Sequence, residues 1–74
     1  MSLMEIPDHT GHYTITWDAD VESEVAAARA EYNRKVGEGM RAFRSTKDGE
    51  PHGPMREFDP DAERIVLVAQ LRGG

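Results

Sequence analysis

The feature that most constrains the fold is an apolar run near the C-terminus that stops at two glycines. Residues 65–69 are all apolar, and neither Gly nor Pro interrupts the run before Gly73. Apolar residues without strict alternation are typical of a central strand that is covered on both faces. We therefore expect a strand over residues 64–71, with its neighbouring strands and covering helix supplied by earlier parts of the sequence.

The length and the residue types limit what the domain can do. A chain of 74 residues buries only about 60% of its unfolded surface and has room for one sheet and one helix. A large active-site cleft is hard to place beside such a core, so a binding or carrier role is favoured over an enzyme. The sequence has no cysteine, which excludes disulfides, thiolate zinc sites and a cysteine nucleophile. No cofactor is expected.

The charge balance and the hydropathy pattern indicate which partners to expect. Fourteen acidic against nine basic side chains give a net charge of -5, which disfavours binding to nucleic acid. A membrane span needs about 18 consecutive apolar residues, and no stretch of the sequence approaches that length. The first residues lack the pattern of a signal peptide. We interpret the protein as cytoplasmic, with a protein partner and no membrane partner.

The first third of the sequence predicts a β-hairpin. A first strand over residues 3–6 stops at Pro7, and a second covers residues 12–17, with Gly11 at the corner between them. Alternation directs three side chains of the second strand toward the core: Tyr13, Ile15 and Trp17.

The middle of the sequence predicts a helix over residues 19–36. Apolar residues recur at helical spacing and mark its buried face: Val21, Val25, Ala28, Tyr32 and Val36. We expect Asp18 or Asp20 to cap the N-terminus, and Gly37 to end the helix in the left-handed conformation. Helix capping and the helix macrodipole also explain why acidic residues cluster at the start of the helix, so no bound cation is needed to account for them.

Two further strands precede the last one. They are predicted over residues 40–44 and 55–58. A reversal is expected at Asp48-Gly49, and the prolines within residues 50–54 predict a loop, because proline removes hydrogen-bond donors. Asp59 and Pro60 occupy the first two positions of a type I turn.

Together these elements predict an α+β fold, with a mixed sheet of four or five strands packed on one helix. The sheet and the helix would share a single apolar core. The predicted core consists of Ile15, Trp17, Val21, Val25, Ala28, Tyr32, Val36, Phe43, Ile65, Leu67 and Ala69.

Three features together resemble the ubiquitin-like β-grasp family. These are the order of the elements, the segment from Thr10 to Thr16, and the terminal Leu71-Arg72-Gly73-Gly74. The resemblance implies one domain over residues 1–74, in which the first and last strands lie parallel, the helix crosses one face, and residues 72–74 form a flexible tail. The stretch from Phe58 through the final apolar run also resembles small bacterial and phage proteins that end in Gly-Gly, for which it implies no activity.

The sequence departs from the ubiquitin pattern at several points. The connection over residues 59–63 is much shorter, and the only lysines are Lys35 and Lys47, so chain building through lysines is not expected. Ala42 and Arg44 occupy positions where part of the exposed apolar patch of ubiquitin would be expected.

The resemblance implies that the tail is the functional site. Leu71, Arg72, Gly73 and Gly74 would be presented to an adenylating or conjugating enzyme. Glycine has no Cβ, so the two glycines could enter a narrow channel, and Arg72 would supply a charge for the partner. The alternative is a structural or accessory protein, such as a phage component, that binds one protein and has a passive, frayed C-terminus.

Other candidate residues have simpler interpretations. His9 and His12 lie in a predicted turn without enough neighbouring ligands, so no metal site is expected. Trp17 is interpreted as a core residue and not as a platform for stacking bases. No serine or threonine has a base beside it in the pattern, and no catalytic residues are assigned.

Overall fold

The computed structural model describes residues 1–69, and these residues contain five strands and one helix. The strands form a single mixed sheet, and the predicted α+β fold class is confirmed. In chain order the elements are β1 Ser2–Asp8, β2 Gly11–Trp17, α1 Glu22–Gly37, β3 Arg41–Ser45, β4 Pro51–Met55 and β5 Arg64–Val68.

The last strand lies in the middle of the sheet, as the sequence predicts. The strand order is β2-β1-β5-β3-β4. β5 pairs in parallel with β1, where Met4 lies opposite Ile65, and antiparallel with β3, where Ala42 lies opposite Leu67. The expected parallel pairing of the first and last strands is therefore confirmed, and the topology is compatible with the β-grasp arrangement.

Within residues 1–69 only one face of β5 is covered, so the prediction of burial on both faces is wrong. Ile65 and Leu67 are buried, Val66 is half-buried, and Val68 is 46% exposed. Residues 1–69 contain one helix, and it packs on the face that carries Ile65. An uninterrupted run of apolar residues is thus also compatible with a strand that has one open face.

The core lies between α1 and this covered face. Its buried members are Met4, Ile6, Trp17, Ala28, Tyr32, Ala42, Phe58, Ala62, Ile65 and Leu67. Five residues of the predicted core are confirmed as buried: Trp17, Ala28, Tyr32, Ile65 and Leu67. Ile15 and Val25 are partly buried against this cluster, and Val21 is half-buried.

Three predicted core residues lie elsewhere. Val36, in the last turn of α1, is 36% exposed, and Ala69 is exposed beyond the end of β5. Phe43 is half-buried, and its position opposite Val66 puts it on the uncovered face of the sheet. The spacing of apolar residues shows which face of a helix or strand is buried. It does not show how far the element that covers this face extends.

β1 continues through Pro7, so the prediction that the strand stops there is wrong. Pro7 lies opposite His12, while the pairing of β1 with β5 ends at Glu5. In an antiparallel ladder, only every second opposed pair of residues exchanges backbone hydrogen bonds. A proline is tolerated where no neighbouring strand would accept a hydrogen bond from its nitrogen. The hairpin itself is as predicted, and Gly11 has a positive φ of 131° at its corner.

The ends of α1 differ from the prediction. Val21 is the N-cap residue and provides no side-chain cap, so neither Asp18 nor Asp20 caps the helix. Instead, the Glu24 carboxylate accepts the backbone N–H of Asp18 at 2.9 Å. At the other end Gly37 is still helical, and Gly39 takes the positive φ, 106°, that was expected of Gly37.

β4 occupies the segment that was predicted as a loop. The prolines predict a loop over residues 50–54, yet Pro51 lies opposite Ser45 and Pro54 lies opposite Phe43 in the β3–β4 ladder. β4 is at the edge of the sheet, where a missing donor costs little. Residues 55–58 were predicted as the strand, but only Met55 belongs to it.

The segment between β4 and β5 closes one end of the core. The Phe58 ring lies 5.2 Å from that of Trp17 and 5.6 Å from that of Tyr32, measured between ring centroids. The Trp17 indole N–H donates a hydrogen bond to the Pro60 carbonyl at 3.0 Å. The predicted turn is present, since the Ala62 N–H donates to the Asp59 carbonyl at 3.2 Å.

Candidate functional site

The candidate site that the sequence predicts in the C-terminal tail, Leu71, Arg72, Gly73 and Gly74, lies outside the described residues. The strand that precedes the tail is described. β5 has a hydrogen-bonded neighbour on each side, β1 and β3. A segment that follows β5 is therefore attached to a strand that is paired on both sides.

An apolar surface lies on the uncovered face of the sheet, opposite α1. We call Leu3, Phe43, Val66 and Val68 the open sheet face. Phe43 lies opposite Val66 across the β3–β5 ladder, and Leu3 extends the surface onto β1. The first three residues are half-buried, while Val68 is 46% exposed. Large exposed apolar patches mark sites of protein interaction, which makes this surface a candidate for one.

Sequence reasoning missed the open sheet face because it assigned both faces of β5 to the core. It also placed the positions equivalent to the ubiquitin patch at Ala42 and Arg44. The structure instead buries Ala42, which is 3% exposed. Arg44 forms an ion pair with Asp59, which follows the core residue Phe58. Residues one position away in the alternation, such as Phe43, face outward.

One ion pair lies on the same face of the sheet. The Arg64 guanidinium binds the Glu5 carboxylate, and their side chains are 25% and 28% exposed. The Arg64 Nε is buried and has no hydrogen-bond partner among the described residues. The pair neutralises two charges on the face, so a partner can cover them without leaving an isolated buried ion.

A second polar cluster joins the edge strand β2 to the helix. The Tyr13 hydroxyl donates to the Glu31 carboxylate at 2.5 Å, and Arg34 donates to the same carboxylate at 2.8 Å. The Tyr13 hydrogen bond, followed by the Arg34 contact, lowers the pKa of Glu31 below its ordinary value of 4.5. The same bond to Glu31, with burial second, raises the pKa of Tyr13 above 10.0. The cluster keeps its proton on Tyr13 and connects β2 to α1.

We expect Tyr13→Phe to lower stability at neutral pH by about 1.5 kcal/mol, the usual contribution of a hydrogen bond to a charged group. The pKa of Glu31 is depressed on folding, so its contribution is present above pH 4.5 and disappears as the pH falls through the lower folded value. The difference between wild type and variant should therefore shrink in acid. Urea unfolding across a pH series measures it.

Tyr32→Phe is the matched control for this prediction. It also removes one tyrosine hydroxyl, but the Tyr32 hydroxyl is buried without a hydrogen-bond partner within residues 1–69. Its removal should leave stability unchanged or slightly higher, since no bond is lost. A Tyr13→Phe effect that stays equally large well below pH 4.5 would contradict the assignment to ionised Glu31.

The remaining candidate residues are two histidines and a tryptophan, and they lie in different environments. His9 and His12 are exposed on the first hairpin. Over residues 1–69, no three His, Cys, Asp or Glu side chains lie close enough together to hold a metal ion. Trp17 is fully buried, which confirms its prediction as a core residue.

In the described part of the chain, no helix is both long and apolar enough to cross a membrane. Comparison of the sequence with protein-family models, with curated proteins and with solved structures finds no match. The functional argument for this chain therefore rests on its own residues.

Proposed function

We propose that this protein is a ubiquitin-like interaction module and carrier that presents Leu71, Arg72, Gly73 and Gly74 to a partner enzyme. The observation that carries the proposal is the position of β5. Its two neighbours hold it in the middle of the sheet, so a partner that pulls on the following residues acts on a strand that is paired on both sides. A tail at this position can be drawn into a second protein while the domain stays folded.

The open sheet face supports the proposal because it includes Val68, the last residue of β5. Val66 and Val68 project from the last strand, and Phe43 contributes an aromatic side chain from the adjacent strand. Aromatic residues are enriched at the centres of protein interfaces. In the proposed complex this face docks on the partner, and the tail then reaches the partner's active site.

The chemistry belongs to the partner. The Gly74 carboxylate would attack the α-phosphate of ATP and release pyrophosphate, forming an acyl adenylate. A thiol of the partner would displace AMP, and an amine could then accept the acyl group. Glycine suits this role because no side chain crowds the tetrahedral centre. The carrier contributes only the carboxylate and the docking surface.

Removal of Gly73 and Gly74 should abolish adduct formation. Tagged full-length protein and the shortened form are incubated with native host extract and ATP, and recovered proteins are analysed by intact mass and peptide mapping. We expect adducts on lysine side chains or on a partner thiol, or a sulfur-for-oxygen change at Gly74, only with the full-length chain. A G73A/G74A variant controls for length, because it keeps the carboxylate and adds two Cβ atoms.

The alternative role gives a different result in the same experiment. If both forms recover the same unmodified partner, the tail is passive and the protein is an accessory binder. Val68→Ser then shows whether the open sheet face holds that partner. Val68 is 46% exposed and outside the core cluster, so this variant should remain folded while binding is lost.

A further inference from the structure

A groove lies where the C-terminal end of α1 meets β3 and β4, and it shares Phe43 with the open sheet face. Its volume is about 470 Å³. The apolar lining comes from the helix, the following loop and the two strands: Val36, Met40, Ala42, Phe43, Pro54 and Met55. We call this the Met40–Met55 groove. No property of the tail is needed to form it.

Two arginines also line the groove, and neither forms an ion pair with an acidic residue of the described part of the chain. Arg41 and Arg56 are exposed. The basic side chains that form ion pairs within residues 1–69 are Arg34, Lys35, Arg44 and Arg64. Two unpaired guanidinium groups beside an apolar groove are notable in a chain with a net charge of -5. They make the groove attractive to carboxylates.

The apolar lining suits the insertion of a side chain. Met40 and Met55 are half-buried and pack against the core, and Val36 is 36% exposed. Methionine side chains are flexible and polarisable, so they adapt to apolar groups of different shape. The groove therefore combines an adaptable apolar wall with two fixed positive charges.

The adjacent strand edge limits how a partner can bind. β4 is the outer strand here, and it contains Pro51 and Pro54. Proline cannot donate a backbone hydrogen bond, so an extended peptide could not form a regular ladder along this edge. Recognition must then come from side chains: an apolar group in the groove and carboxylates on the arginines.

We propose that the Met40–Met55 groove binds an acidic segment of a partner protein, in which an apolar side chain is flanked by aspartate or glutamate. The apolar side chain packs against the two methionines, and the flanking carboxylates bind Arg41 and Arg56. This site is independent of the tail, and it would serve either a carrier or an accessory protein.

A random dodecapeptide library displayed on phage tests the proposal without a known partner. The library is selected on the full chain and depleted on an R41E/R56E double variant. We expect the enriched peptides to share an apolar residue between acidic residues. Synthetic copies should shift the backbone amide signals of Met40, Ala42 and Met55 in NMR spectra, and leave those of Leu3 and Glu5 unchanged.

Single charge reversals then measure how much each arginine contributes to peptide affinity. Arg41→Glu and Arg56→Glu should each weaken an enriched peptide by about tenfold or more, because they place like charges together. Lys47→Glu is the matched control: Lys47 is exposed, lies in the β3–β4 turn, and changes the net charge equally. Val36→Ala reports on the apolar wall and should also weaken binding.

Three outcomes would overturn the proposal. The first is the absence of any enriched acidic-apolar peptide. The second is equal binding by the wild type and the R41E/R56E variant when both give dispersed spectra of a folded protein. The third is a set of amide shifts confined to the open sheet face. An equal loss of affinity in the Lys47→Glu variant would likewise show that only overall charge matters.

Discussion

Trp17→Ala should lower the free energy of unfolding by about 4 kcal/mol, the usual cost of truncating a buried tryptophan. Trp17 is fully buried, its ring contacts Phe58 at 5.2 Å, and its indole N–H is bonded to the Pro60 carbonyl. Small domains have total stabilities of only about 5 kcal/mol or slightly more. We therefore expect the variant to be largely unfolded at room temperature, as measured by far-UV circular dichroism during urea titration.

Trp17→Phe separates packing from hydrogen bonding at the same position. Phenylalanine keeps an aromatic ring beside Phe58 but cannot donate to the Pro60 carbonyl, so the expected loss is smaller, about 2 kcal/mol. If Trp17→Ala unfolded at the same urea concentration as the wild type, Trp17 would not be the centre of the core.

Phe58→Ala should have the second-largest effect, a loss of about 3 kcal/mol. Phe58 lies outside any strand or helix, yet it is only 8% exposed and contacts the rings of Trp17 and Tyr32. Arg29 also places its guanidinium 5.6 Å from the centre of the Phe58 ring. Removal of the ring should release residues 56–63 from the sheet. Tryptophan fluorescence during urea unfolding measures both the stability and the new exposure of Trp17.

Two further variants complete the experiment on Phe58. Glu57→Ala is the matched control at a neighbouring exposed position, and it should change stability by less than about 0.5 kcal/mol. Because Trp17 and Phe58 touch, the effects of Trp17→Phe and Phe58→Ala should not add, and a double-mutant cycle should give a coupling of about 1 kcal/mol. Additive effects would contradict the packing of the two rings.

The parts of the fold with strong periodicity could be predicted from the sequence. The spacing of Ala28 and Tyr32 identified the buried stripe of α1, and the apolar run identified β5 as the central strand. The Asp48-Gly49 reversal is also present, with a φ of 88° at Gly49. These elements follow from local rules that tertiary contacts did not override.

The errors arose where position in the sheet decides the outcome. Pro51 and Pro54 are unfavourable in a central strand but acceptable at an edge, and the sequence does not show which strand lies at the edge. The burial of Phe58 depends on a loop that folds onto Trp17, for which no periodicity exists. The Met40–Met55 groove could not be predicted for the same reason, since it combines residues from α1, β3 and β4. The tail residues proposed as a site remain a prediction.

The central position of β5 also determines when the domain can form during synthesis. β1 and β3 are not neighbours in the sheet; each pairs with β5. A nascent chain that ends before Arg64 can make only the β1–β2 and β3–β4 hairpins, and isolated two-stranded hairpins are marginally stable in water. The sheet is completed only after residues 64–68 leave the ribosome. Until then, most of the residues that will form the core stay open to chaperones and proteases.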